Sequence, residues 1–167
     1  MHIDDGAKAF LAAIPDGPEG ITLTLAIMAR IVRAYRKHPG IIALATELTS
    51  HLPDKAFAQE AEALHEFVRD QVRYVRDVRD VETVRTPDQV LLMGAGDCDD
   101  KATLFCALAE SIGFHCRFYA AGFAGGPLEH VWPEVRLGDS WVAAEVTEPV
   151  LLGQRPPRIT DFRIVTV

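Results

Sequence analysis

A chain of 167 residues and 18.4 kDa is the size of a single domain and can bury roughly 70% of the surface its unfolded form exposes. Its 49% hydrophobic and 25% charged residues exclude disorder of the whole chain, and no run approaches the ~18 consecutive apolar residues of a membrane-spanning helix. Seventeen basic against 24 acidic side chains leave a formal charge of −7, the wrong sign for a nucleic-acid binder.

The first residues, Met1-His2-Ile3-Asp4-Asp5, are acidic and lead into no apolar stretch, so no secretory signal is expected. Pro15, Gly17, Pro18 and Gly20 interrupt the chain early, and residues 1–18 read as a short arm. Ile21, Leu25, Met28, Val32 and Tyr35 then recur at helical strides, ended by Pro39-Gly40. Ile41, Leu44, Ala45 and Leu48 form a shorter helical stripe. Pro53-Asp54 offers a start signal, with Asp54 as the cap of a long amphipathic helix carrying Phe57, Ala61, Leu64, Val68, Val72 and Val75. On its other face Arg69, Arg73 and Arg76 interleave with Asp70 and Asp77, the pattern of a solvated surface.

Thr86-Pro87-Asp88 opens a short helical turn through Leu92, and Gly94-Ala95-Gly96 reads as a loop. A helix beginning near Asp99 carries Phe105, Leu108, Ala109 and Ile112 on one stripe and stops at Gly113. The period then changes from 3.6 to 2. Cys116 to Ala121 alternates as a strand, Gly122 to Pro127 is a loop, and His130 to Leu137 pairs with Trp141 to Val146 across Gly138-Asp139. Pro133 cannot donate to a ladder, which places it at an edge or a bulge. Phe162 to Val167 makes a final strand. Helices followed by strands predict an α+β fold, with N-terminal helices packed on a small antiparallel sheet. The expected division is an N-terminal helical segment over residues 1–52 and a core over 53–167.

Three segments carry candidate chemistry: Gly94-Ala95-Gly96-Asp97-Cys98-Asp99-Asp100, Glu129-His130-Val131-Trp132, and Trp141 through Glu145 to Thr147. Cys98 falls in the first turn of its helix, where unpaired N–H groups and the dipole favour a thiolate and could hold an oxyanion. Asp97, Asp99 and Asp100 oppose that charge, so an imidazolium partner is needed, and His130 is the candidate. If Leu137 pairs with Ser140, Trp132 faces Glu145 and His130 faces Thr147. Glu145 then lies diagonal to His130, roughly 7–8 Å away between Cα atoms, close enough to orient the imidazole. A slip of one residue would remove that role.

The glycine loop with its helix, then His130-Val131-Trp132-Pro133-Glu134-Val135, then Gly138 and Trp141 ahead of Glu145 and Thr147, resembles the transglutaminase-like superfamily of papain-like cysteine enzymes over about residues 60–148. The resemblance implies Cys98 as nucleophile, His130 as general base and acid, and Glu145 as the orienting acid where the family usually has aspartate. It implies acyl transfer through a thioester on a protein or peptide substrate, hydrolysis of a peptide or amide bond being the first reading. It requires no cofactor and no metal. The alternative is a non-catalytic binding or assembly module, of a kind that also occurs in prophages.

Gln89 is a further candidate, as an oxyanion donor, and Asp99 and Trp132 as walls of the site. Cys106 and Cys116 read as core thiols, since three cysteines match neither a disulfide framework nor a metal pattern. They suit a reducing, bacterial-type cytoplasm. His2, His38, His51, His65 and His115 have no partner pattern. His65-Glu66-Phe67-Val68-Arg69 lacks the second histidine of a zinc protease. Neither a nucleic-acid nor a membrane partner is expected, and the oligomeric state is not legible.

Overall fold

Residues 17–76 and 83–167 are described in the computed structural model. The arm expected over residues 1–18 lies almost wholly outside them, as does Asp77. Helix α1 (Pro18–Tyr35) opens with proline in its first turn and buries Leu25, Met28 and Val32. Pro39-Gly40 ends that helix as expected and also starts α2 (Pro39–Thr49), where the His38 ring nitrogen accepts the Gly40 N–H at 3.2 Å. Helix α3 (Phe57–Gln71) buries Ala61, Leu64, His65 and Val68.

Both ends of α3 differ from expectation. Lys55 has a φ of 62°, so no helix can run on from Asp54, and α3 starts after Ala56 with no side-chain cap. At the other end Val72 is already extended. The chain continues as strand β1 (Arg73–Tyr74), leaving Val75 exposed.

Helix α4 (Pro87–Met93) begins at Thr86 with a capping box and ends at Gly94, which is left-handed (φ 60°). What the sequence suggested was a loop is instead strand β2 (Ala95–Gly96), parallel to β1. The Gly94 and Gly96 carbonyls accept the N–H groups of Arg73 and Val75 at 2.9 and 3.0 Å. Helix α5 (Cys98–Ser111) follows, stopped at Gly113 (φ 100°). The expected one-sided stripe understates it, because every residue from Asp100 to Ala109 is buried. It is the central helix, with α1, α2 and α3 around it and the sheet beneath.

That sheet comprises β3 (Cys116–Phe123), β4 (Leu128–Leu137), β5 (Ser140–Ala143) and β6 (Ile159–Thr166) in the antiparallel order β5-β4-β3-β6. Its helix-facing side joins Cys116, Phe118, Ala120, Val131 and Val135 to one core shared with all the longer helices. Its other side carries a smaller cluster of Tyr119, Ala121, Trp132 and Ala143. The architecture is the expected α+β one.

The turn register is also as expected, with Leu137 opposite Ser140 and Glu134 opposite Ala143. The ladder stops sooner than the sequence suggested, at Ala143 instead of Val146. Ala144 N–H still donates to the Pro133 carbonyl at 2.8 Å. The reciprocal bond would need an N–H that proline lacks, and there the pairing ends. Pro133 is therefore not on an edge strand; β4 is interior, and its missing donor faces the point where β5 leaves.

Candidate active site

Cys98 is the first residue of α5. Asp97 caps the helix, its carboxylate accepting the Asp100 N–H at 3.1 Å while Asp100 accepts the Asp97 N–H at 3.3 Å. Asp100 is fully buried and also accepts the Arg85 backbone N–H at 2.7 Å. Gly96 is required by this packing: a Cβ there would lie 2.6 Å from the Asp100 Cβ. The glycine loop thus fixes where α5 begins, and so where the sulfur sits.

The Cys98 thiol is partly exposed and donates to the Asp99 carboxylate at 3.6 Å. The backbone N–H of Val131, the residue after His130, points at the same sulfur and favours its thiolate. Burial, followed by the negative charges of Asp99 and Asp97, outweighs that donor and pushes the thiol far above its ordinary range. At rest Cys98 is a thiol.

His130 stands on β4 immediately after an irregularity. Ala121 pairs with His130 but Gly122 pairs with Leu128, so Glu129 is an extra residue that re-aims the strand. His130 Nε2 donates to Glu145 Oε2 at 2.6 Å, which leaves Nδ1 as the nitrogen available to a thiol. Glu145 is fully buried. Its other oxygen accepts the N–H groups of Thr147 (2.7 Å) and Glu148 (3.4 Å). Burial alone would raise its pKa, but these donors and His130 together hold it below the usual carboxylate range.

His130 and Glu145 are therefore joined, though by a different route from the paired strands expected. Glu145 lies beyond the end of β5, not opposite Trp132. Trp132 is fully buried, its ring 5.8 Å from that of His130 and stacked at 4.6 Å on Tyr119. Gln89 uses its side-chain carbonyl to accept the Thr86 N–H at 3.2 Å in the α4 cap. Glu134, four residues after His130, is buried between Arg117 and Arg155 at 2.6 Å from each. Cys106 and Cys116 are fully buried core thiols.

Two residues near the site were missed in the sequence. His65, without a partner pattern in the chain, is fully buried, and its Nε2 donates to the Glu145 backbone carbonyl at 2.6 Å. Burial pushes its pKa down. The available signal was its position on the buried stripe of α3, between Ala61 and Val68, where a polar ring needs a partner. Lys101, buried within α5, donates to the carbonyls of Val72 (2.7 Å) and Arg69 (3.2 Å) at the end of α3. Its burial lowers its pKa to about 8.

Residues 42–146 match the sequence model of the transglutaminase-like superfamily. The chain belongs to that superfamily. Its fold is similar to that of a candidate cysteine protease from Cytophaga hutchinsonii (TM-score 0.56, 16% identity over 80% of this chain and 52% of that one). It is also similar to a candidate protease from Parabacteroides distasonis (TM-score 0.58, 12% identity, 77% and 27%). A third structure, from a study of DNA duplex opening by the Rad4/XPC nucleotide excision repair complex, has a TM-score of 0.51 at 12% identity (80% and 40%). This transglutaminase-like chain spans about half the length of the first and less of the other two. No curated protein is significantly similar to it in sequence. Among the described residues no helix is long and apolar enough to cross a membrane.

Proposed function

We propose that this chain is a cysteine-dependent acyl-transfer enzyme that hydrolyses a peptide or amide bond. The observation that carries the reading is the 2.6 Å bond from His130 Nε2 to Glu145, with the Cys98 sulfur against the neighbouring Val131 N–H. With Cys98 kept a thiol by burial and by the charges of Asp99 and Asp97, attack proceeds by general-base catalysis and not from a standing ion pair. His130 Nδ1 takes the thiol proton as sulfur bonds to the carbonyl carbon. The Cys98 N–H, at the positive end of α5, faces the developing oxyanion. Collapse breaks the C–N bond, and the amine leaves with the proton returned by His130. Water, deprotonated by the same imidazole, then cleaves the thioester and restores the thiol. Glu145 holds the ring and stabilises its charge in both steps.

Support for the enzymatic reading also comes from two solved neighbours described as candidate proteases. The second reading, a non-catalytic binding or assembly module, is favoured by the burial and the acidic surroundings that keep Cys98 protonated. Capture of a covalent acyl-enzyme with a panel of peptide thioester or amide probes decides between them. Capture at Cys98, lost in Cys98→Ala and His130→Ala, supports the enzyme. Labelling no better than at the buried Cys106 and Cys116 supports the module.

A further inference from the structure

We infer that His65 is a positioning residue for the Glu145–His130 pair, holding the main chain of Glu145 through its carbonyl so that the carboxylate meets the imidazole. The inference deepens the enzymatic reading above and rests on it for its purpose, though not for its geometry.

Glu145 is not held by a strand. The β4–β5 ladder ends at Ala143, and after the Ala144 N–H bond to Pro133 no further rung constrains the chain. What fixes the next residue is a side chain 80 positions away: His65 Nε2–H, from the middle of α3, at 2.6 Å from the Glu145 carbonyl oxygen. The donor assigns the tautomer. Nε2 carries the proton, and Nδ1 is a buried nitrogen with no hydrogen-bond partner among the described residues. A ring with one unsatisfied nitrogen costs stability, so a purely structural position would be better filled by an apolar residue. The single bond it does make lies one residue's backbone away from the carboxylate that binds His130.

The length of the acid makes this hold matter. A glutamate carboxylate swings on three rotatable bonds, one more than aspartate, so its placement depends more on a fixed backbone. Fixed at the carbonyl by His65 and at Oε1 by the Thr147 and Glu148 N–H groups, it presents Oε2 to His130. The charged neighbours of His65 are Glu66, Arg69 and Asp70 on its own helix and Glu145 across from it.

A short His–carboxylate hydrogen bond gives a far-downfield proton resonance, readable without any substrate. The assay is proton NMR of the full chain, with the resonance assigned by its loss in Glu145→Gln. The expected result is loss of the resonance in His65→Leu and in His65→Asn, whose amide is too short to reach, with retention in His65→Gln, which can still donate. Near-UV circular dichroism identifies variants that keep the fold; if His65→Leu does not fold, the Asn and Gln pair decides. Persistence of the resonance in folded His65→Leu or His65→Asn overturns the inference. So does its loss in folded His65→Gln, or its absence from the unmodified protein. A protein that shows the resonance and its dependence on His65, yet forms no acyl-enzyme at Cys98, refutes only the enzymatic reading.

Discussion

Replacing Asp99 by asparagine tests the electrostatic account of Cys98 directly. The Asp99 carboxylate accepts the thiol at 3.6 Å, and after burial its charge is the largest influence holding the sulfur protonated. At that separation a unit charge acts on a thiolate with about 1 kcal/mol if screened as in bulk water, and about 4–5 kcal/mol at an effective dielectric of about 20. Taking the low end, because both groups are partly open to solvent, Asp99→Asn lowers the Cys98 pKa by about one unit. The thiolate fraction at neutral pH then rises about tenfold, while each thiolate loses nucleophilicity with a Brønsted slope of about 0.4–0.5, for a net gain of about threefold in alkylation rate. Iodoacetamide labelling at pH 7, read by mass spectrometry on the Cys98 peptide, measures this. The fully buried Cys106 and Cys116 serve as internal references. An unchanged or slower rate in a folded Asp99→Asn protein would refute the reasoning and make Asp99 a helper of the thiol, not a brake on it.

Glu145→Gln keeps the size of the side chain but removes its charge, and it cannot stabilise an imidazolium at His130. By analogy with amide replacements of triad acids, turnover of any substrate found should fall about 10³–10⁴-fold with KM little changed. The same carboxylate is held below its usual pKa, so its contribution to stability is complete above about pH 4.3 and is lost as pH falls through its lower native value. Acid unfolding curves of the two proteins should converge in that window. His65 is depressed as well: the unfolded chain binds the proton more readily, so stability falls as pH drops below about 6.5. His65→Gln should flatten that slope in melts between pH 7.5 and 5.5. Gly96→Ala forces a Cβ against Asp100 at 2.6 Å and should cost about 1–3 kcal/mol by denaturant titration, with Cys98 labelling altered because the start of α5 moves.

Much of the architecture could be read from the chain because its signals are local. Strides of three and four marked α1, α2 and the middle of α3; Thr86-Pro87 marked α4; Gly113 marked the end of α5 and the change to period 2. The two-residue turn at Gly138-Asp139 was enough to set the β4–β5 register. What escaped was non-local or set by backbone geometry. The left-handed Lys55 displaced the start of α3, and the carbonyls of Gly94 and Gly96 drew residues 73–75 out of it. Glu145 was named for the right partner by a strand argument that does not hold at residue 145. His65 and Lys101 bond to backbone carbonyls, which carry no side-chain signature, so no motif could reveal them.

Pro133 has no functional group, yet the site's assembly hangs on it. An ordinary amino acid there could complete the rung with Ala144 and invite the zipper to close onward through 145. Continued pairing would hold Glu145 in the pleat opposite Trp132, drawing its carboxylate that way, and the next rung would join Val131 to Val146, taking the Val131 N–H that now meets Cys98. A single absent hydrogen thus decides that the chain peels away where it does, and the freedom so created is what another part of the molecule then uses to bring acid and base together.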